Sequence, residues 1–506
     1  MGIIQRQSLK YTLINFVGTF LGFLSVIFIY PLQEEAYATF QFVFNNASLL
    51  VPFLGLGIHG VIVKYFPVFH SKNAEHQFLF FTLKLSTLFA SVLTFLIILL
   101  YFIFNTQLSL WFENFELIEA NKFFILALAW LLLFNSNFIY HASTKLRIVI
   151  PDLISTIGIK IFLPILVLAL YFDWIAVNIF MYWIIGFYFL VGIFLFFYSW
   201  SLAPHSTATD FGILDKGEYK GLVGFMLFAA LNSLGISLVL KLDVLMIGSM
   251  LTKRDLWLFT TVLVISNVMD IPMKALNQIA SPVISNDWKT KSLNNIKSIY
   301  QKSSVYGIMI GVLLFGMIYV IWPDILALMP NDKNGVVRNL DPTLVQNIFI
   351  CLGFAKLIDL ATGLNSNIIT YSEKYRVHMY MLLGLGLMNI ILNYYLIYNI
   401  GILGAAIASL ISWTTFNFIK YIYVKTKFGI GISFGVQTVL MLIGLSITTL
   451  VNNVPFDFHP VINIGMKSAT VVLLYFSALW LYNPEGTFRK LTLNIIQTTL
   501  KSLKRT

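Results

Sequence analysis

The chain has 506 residues, of which 58% are hydrophobic and only 11% charged, and its 33 Lys and Arg outnumber its 22 Asp and Glu to give a formal charge of +11. Mean hydropathy is +0.83. Soluble chains carry about 25% charged residues, so this one lacks the polar surface to cover a water-soluble globule, and lipid is the outer solvent its composition requires. A lone cysteine, Cys351, lies in an apolar run and excludes an internal disulfide framework or a multi-cysteine metal site.

A helix rises about 1.5 Å per residue and the hydrocarbon core is about 30 Å thick, so a crossing needs about 20 apolar residues. In chain order, such runs lie near 11–30, 36–62, 78–104, 121–141, 150–171, 176–200, 221–250, 256–282, 299–322, 343–370, 377–398, 401–424, 433–452 and 460–483. They predict an all-α membrane protein with about fourteen transmembrane helices. The separators are short and carry breakers, as in Pro31-Leu32-Gln33-Glu34-Glu35, Asn399-Ile400-Gly401 and Asn452-Asn453-Val454-Pro455. The longest, near 201–220 and 323–342, are too short for a separate soluble domain. No small-residue cleavage site follows the first apolar run, which is expected to remain as the first helix.

Lys and Arg in the loops set the orientation. With the N-terminus inside, 22 of them fall in inside segments, from Arg6 and Lys10 to Lys504 and Arg505. Only Lys122, Lys253, Arg254, Lys333 and Arg338 fall outside. This alternation predicts an even number of crossings and both termini in the cytoplasm. The basic C-terminal tail also suits anionic head groups. Tyr30, Trp111, Trp174 and Trp322, near span ends, read as interface anchors.

The chain also resembles itself. A shift of 220 residues lays Val51-Pro52 on Ile271-Pro272 and Ala36-Tyr37 on Leu256-Trp257. A shift of 229 lays Ser143-Thr144-Lys145-Leu146-Arg147 on Ser372-Glu373-Lys374-Tyr375-Arg376, and Lys160 and Pro164 on Asn389 and Asn393. Nearly equal offsets at matching positions predict two six-helix lobes, 1–200 and 221–427, joined by a cytoplasmic segment, 201–220. Residues 428–506 then hold helices thirteen and fourteen and the basic tail. Six is even, so the lobes form a parallel repeat about a pseudo-twofold axis along the membrane normal, an arrangement that places substrate between the lobes.

The stretch Leu387-Met388-Asn389-Ile390-Ile391-Leu392-Asn393, followed by Gly401-Ile402-Leu403-Gly404-Ala405-Ala406-Ile407-Ala408-Ser409, resembles a signature of oligosaccharide flippases of the multidrug/oligosaccharidyl-lipid/polysaccharide (MOP) exporter superfamily. Lys241-Leu242-Asp243-Val244-Leu245-Met246-Ile247-Gly248 is similar to that family's seventh helix, and Leu54-Gly55-Leu56-Gly57-Ile58 to its Gly-rich second helix. Physically, the Gly-Ala block is a surface on which helix backbones approach closely, and Asn389 and Asn393 share a helix face suited to interhelical hydrogen bonds. The resemblance implies a non-enzymatic flippase of polysaccharide and O-antigen (lipopolysaccharide) biosynthesis, in a bacterial cytoplasmic (inner) membrane. Its substrate would be a polyprenyl-diphosphate-linked oligosaccharide, carried to the outer leaflet by alternating access. The implied partners are membrane lipids, a polysaccharide polymerase and glycosyltransferases, with no nucleic acid and no cofactor. Helices thirteen and fourteen would shape a groove for the lipid tail.

Ionisable groups inside a span are costly unless paired or hydrated, so each is a candidate. They are Lys84, Lys160, Lys241 with Asp243, Asp270 with Lys274, Lys356 with Asp359, and Lys467. Lys84 and Lys467 lie within snorkelling reach of the span ends. Lys274 and Lys356 can pair locally with Asp270 and Asp359, at helical spacings of four and three. Lys160 has no acid at helical spacing and ranks first for lining a cavity. A diphosphate crossing a low-dielectric slab needs fixed cations in place of its counterions, which makes Lys84, Lys160, Lys241, Lys274 and Lys356 the substrate-binding candidates. Asp243, Asp270 and Asp359 are the candidates for ion coupling. The family often uses arginine where this chain has only lysine mid-span. Two other readings compete: a cation-coupled small-molecule efflux carrier of the same superfamily, and a membrane enzyme acting on lipid-linked sugars. The first favours unpaired acids in the cavity. For the second, Asp324, Asp332 and Asp341 match no metal or nucleotide motif. No Gly-rich Lys loop is present for ATP, so an ion gradient or the membrane potential is the expected driver.

Overall fold

The computed structural model describes residues 17–111, 115–145, 147, 149–203, 216–331 and 340–482. Arg6, Lys10, Lys333, Arg338, Asp332 and the basic tail lie outside them. In lipid a backbone can satisfy its polar groups only within helices or closed barrels, and the described chain is helical throughout apart from its short connections.

In chain order the helices are α1 (Val17–Phe28), α2 (Glu34–Gly55), α3 (Ile58–Ser71), α4 (Glu75–Trp111), α5 (Phe115–Thr144), α6 (Val149–Tyr171), α7 (Phe180–Leu202), α8 (Lys216–Met250) and α9 (Lys253–Ser266). They continue as α10 (Ile271–Lys289), α11 (Leu293–Leu328), α12 (Pro342–Ala361), α13 (Asn365–Tyr371), α14 (Tyr375–Ile400), α15 (Ile402–Phe428), α16 (Phe434–Asn452) and α17 (Pro460–Tyr482). Twelve described helical segments are long and apolar enough to cross a membrane, and α1 with α2 adds a bent pair inclined at 53°. Every expected apolar run carries helix, although 11–16 lie outside the described residues. The bend has a local cause. Pro31 has no N–H to continue α1, and a 3-10 turn over Tyr30–Gln33 restarts the chain.

The second run is broken as well. Leu56 (φ 42°) and Gly57 (φ 75°) are left-handed and separate α2 from α3. Gly57 is required twice over. Its φ suits glycine, and a Cβ there would lie 2.3 Å from the carbonyl oxygen of Met226 and 2.6 Å from the amide nitrogen of Ala230, both on α8. The eighth run breaks at a 3-10 turn over Asn267–Asp270, between α9 and α10.

Contacts gather the helices into two compact units. The first takes the described residues up to Ile265 together with Arg376–Ser412. Within it α2 packs on α5 and α8, and α5 on α7. Leu79, Phe138, Val191 and Leu195 form a buried cluster there. Buried Glu75, at the start of α4, accepts from Lys145 and meets His70, tying the ends of α3, α4 and α5 together. The second unit takes Ser266–Met329, Leu340–Tyr375 and the described residues from Trp413 on. Here α11 is central and packs on α12, α16 and α17. Small residues permit that approach: a Cβ on Gly444 would fall 1.8 Å from a methyl carbon of Val312, and one on Gly316 would fall 2.5 Å from the Thr448 hydroxyl. Two expected interface anchors are instead packing residues. Trp322 is fully buried and Tyr30 is buried in a stack on Tyr37, their centroids 4.1 Å apart, whereas Trp174 is exposed.

Gly57→Ala is expected to cost about 1–3 kcal/mol through backbone strain and to lower the unfolding midpoint in detergent. Gly465→Ala, where a Cβ meets nothing within 4 Å, should leave the midpoint unchanged or raise it slightly. Equal midpoints for the two variants would refute the close-approach account.

Candidate functional site

Lys160 lies on α6 between two interruptions of the helix. A π-turn over Leu153–Ile157 precedes it. Pro164, four residues on, offers no N–H to the carbonyl of Lys160. Helices carry such irregularities where a side chain must be aimed. Gly18 and Gly22 of α1, one turn apart, face the Lys160 stem, and a Cβ on Gly18 would lie 3.5 Å from Nζ. The small-residue face of α1 thus makes room for the lysine.

Lys160 lines a cavity of about 400 Å³ within the first unit. Tyr37, Phe40 and Phe44 of α2, with Tyr188 of α7, give it an aromatic wall. Gln41, Asn135, Ser136, Ser155 and Thr156 add amides and hydroxyls. Such a lining can stack against a sugar ring, hydrogen-bond its hydroxyls and meet one anionic group.

A line of hydrogen bonds runs from this wall to α8. Lys241 Nζ donates to Asn45 Oδ1 at 2.8 Å. Asn45 Nδ2 donates to Gln41 Oε1 at 3.0 Å, and Gln41 Nε2 to the Tyr37 hydroxyl at 2.7 Å. Lys241 is therefore held on a neutral amide, with its ammonium 5.7 Å from the Phe44 ring centre. Two residues along α8, Asp243 is buried. Its Oδ1 accepts from Asn393 Nδ2 at 2.8 Å, and its Oδ2 accepts from the Ser409 hydroxyl. Asn393 also donates to Asn389. The two asparagines thus make the interhelical hydrogen bonds expected of them, and the second anchors a carboxylate. The Gly-Ala block serves close packing. A Cβ on Gly404 would lie 2.1 Å from the Leu396 carbonyl oxygen, and Ala405, Ala406 and Ala408 are fully buried.

In the second unit the lysines choose other partners than the local ones. Lys356 Nζ bonds Asp270 Oδ2 at 2.7 Å, from α12 to the 3-10 turn before α10. Lys356 lies 5.9 Å from the Trp413 ring centre. Asp359 pairs with Lys420 of α15 at 3.8 Å. Neither expected local pair, Lys356–Asp359 or Asp270–Lys274, forms, because the neighbouring helices bring a counter-charge nearer. Lys274 is exposed on α10, and Lys84 is exposed on α4, outside the Lys160 cavity. Lys467 bonds Asp324 Oδ2 at 2.7 Å, and Asn463 donates to the other oxygen of that carboxylate at 3.0 Å. Lys467 thus ties α17 to α11 rather than snorkelling.

Sequence reasoning missed Lys420. It stands near the end of its apolar run, close to Lys425 and Lys427, yet its side chain is 1% exposed. It donates to Ser366 at 2.9 Å and lies 4.2 Å from the Phe416 ring centre. Asn417, one turn earlier, accepts from Thr362 at 2.9 Å. The polar pair Asn417 and Lys420 on one apolar helix was the available signal. Among the described residues no group of three or more His, Cys, Asp or Glu could hold a metal ion.

No protein-family model matches the chain, and no curated protein sequence does. Solved structures do. The fold is that of MOP-superfamily exporters. The chain is similar to a multidrug resistance MATE family transporter of that superfamily in its inward-facing conformation, at a TM-score of 0.56 and 12% identity over 81% of this chain and 94% of that one. It is similar to a MATE crystal structure in the straight conformation at 0.52 and 15%, over 84% and 96%. Likeness to the lipid II flippase MurJ, in an inward closed conformation, reaches a TM-score of 0.68 at 14% identity, over 94% of this chain and 98% of that one.

Two stability measurements probe these networks. Asn45→Leu strands the Lys241 ammonium and is expected to cost roughly 1–3 kcal/mol, read as a lower unfolding midpoint in detergent. Asp359→Asn, which weakens the pairing of a fully buried ammonium, should lower the midpoint more than Lys420→Met, because Asp359 keeps 32% of its side chain exposed and can be hydrated when its partner is gone. The reverse order would contradict the pairing described.

Proposed function

We propose that the chain is a lipid flippase that moves a polyprenyl-diphosphate-linked oligosaccharide from the cytoplasmic to the outer leaflet, serving cell-surface polysaccharide biosynthesis in a bacterial inner membrane. In this reading two six-helix lobes, 1–200 and 221–427, alternate access, residues 428–506 add two helices, and both termini are cytoplasmic. The observation that carries the reading is the Lys160 cavity. It places one fixed cation beside an aromatic wall and a set of amides and hydroxyls, the chemistry that a sugar attached to a phosphate requires. The MurJ likeness supports it too, because it covers more of the chain than residues 1–433 could supply and so reaches the two C-terminal helices.

Transport against a gradient needs a coupled ion, and Asp243 is the best placed acid. It is a buried carboxylate that accepts from Asn393 and Ser409, and a proton or small cation bound there would change the balance of those bonds. Asp243 is two residues from Lys241, whose hydrogen-bonded line ends at Tyr37 in the cavity wall. Asp270 and Asp359 serve as counter-charges to Lys356 and Lys420. A second reading, cation-coupled efflux of small molecules, is favoured by the MATE likenesses and by the same buried carboxylate.

Lys160→Ala is expected to abolish transfer of lipid-linked glycan in a complementation assay while the protein still inserts in the membrane, and Lys160→Arg to retain part of it. Asp243→Asn should leave glycolipid binding intact but remove the dependence of transport on the ion gradient. Full activity of Lys160→Ala would overturn the site assignment. Resistance to cationic drugs on expression, with no glycan transfer, would favour the efflux reading.

A further inference from the structure

A second cavity in the first unit, about 450 Å³ in volume, plays no part in the proposed transport path. It opens between α2, α4, α5 and α8 and is almost wholly apolar, with Leu49, Leu50, Ile97 and Leu126 along its wall. Three polar residues break that surface: Asn46, whose amide donates to the Phe42 carbonyl oxygen at 2.8 Å, Lys122 and Tyr101. Lys122 lines the cavity near the start of α5, the outer end in the proposed orientation. Its ammonium is 5.0 Å from the Tyr101 ring centre and only loosely held by Glu119 at 3.4 Å. Tyr101 lines the same cavity, and its hydroxyl is buried and has no hydrogen-bond partner.

A buried hydroxyl without an acceptor costs stability, and a lysine beside an apolar slot attracts an anion with a hydrocarbon tail. We infer that this cavity is a structural lipid site that seats one acyl chain of an outer-leaflet glycerophospholipid, whose phosphate meets Lys122 and whose ester carbonyl accepts from the Tyr101 hydroxyl. The occupant is a bilayer phospholipid rather than the transported glycolipid. The cavity lining lacks the row of hydroxyls and amides that a glycan needs and that the Lys160 cavity supplies. The bound lipid fills a gap between four helices of one unit and acts as part of its packing.

The test uses the full chain in phosphatidylcholine vesicles doped with phosphatidylglycerol that carries a photoreactive group in one acyl chain. Cross-linked peptides are mapped by mass spectrometry. Labelling is expected on residues 97–102 and 118–126. One lysine at the membrane surface is worth about 1 kcal/mol toward an anionic lipid, so Lys122→Gln should weaken the labelling roughly fivefold. Lys122→Arg should restore it, and Leu126→Trp, which fills the slot, should remove it. Should Leu126→Trp fail to fold, judged by its gel-filtration profile, the Gln and Arg pair decides alone. Unchanged labelling in Lys122→Gln overturns the site. So does loss of the label on adding polyprenyl phosphate in excess, which would assign the slot to the transported lipid.

Discussion

Lipid offers no hydrogen bonds, so a polar group inside a membrane helix must find its partner on protein or face a hydrated cavity. Several of the mid-span charges obey this by reaching across helices. Lys356 meets Asp270, Lys420 meets Asp359, and Lys467 meets Asp324. Lys241 rests on Asn45, and Asp243 on Asn393 and Ser409. Each contact fixes the rotation and depth of two helices at once, which generic apolar packing does not do. Stripes of small residues then let the backbones close, as at Gly444 against Val312 and Gly404 against Leu396. The polar contacts specify the arrangement, and dispersion between tightly packed helices supplies the stability.

The same division explains what could be read from the sequence. Helices were legible because an apolar run of about 20 residues has one stable conformation in lipid. The broken second run was not, because Leu56-Gly57 carries no turn signal beyond its glycine, and the need for that glycine arises from Met226 and Ala230, far along the chain. Partner choice was illegible for a related reason. Helical spacing sees only one helix, so it favoured Lys356 with Asp359 and Lys274 with Asp270. An inter-helix partner at 2.7 Å outweighs either. Lys420 was hidden by its company, since Lys425 and Lys427 made the end of its run look like an ordinary basic loop. Asn389 and Asn393 were legible as hydrogen-bonding residues, but their acceptor, Asp243, lies 150 residues from Asn393.

Lys160 shows how a helix-breaking sequence comes to line a cavity. The π-turn and Pro164 on either side of it disturb the regular ladder of α6, and α1 lays two glycines against the lysine stem. Each feature is unfavourable for a helix considered alone. Together they hold a long cationic side chain beside an aromatic wall that a straight, well-filled helix pair would have closed.

The distribution of compensating charge also separates the lysines by what they can do at a distance. Lys356, Lys420 and Lys467 each carry a carboxylate partner, so their fields largely cancel beyond a few ångströms. Such pairs can hold helices in place without attracting an anion into the unit that contains them. Lys241 donates one hydrogen bond to an amide, and that contact adds no charge. Lys160 shares a cavity with neutral amides, hydroxyls and rings. The line from Lys241 through Asn45 and Gln41 ends on the tyrosine that forms part of the Lys160 cavity. Neutral amides thus connect the Lys241 ammonium to the cavity wall, where a second charge would have been costly to bury.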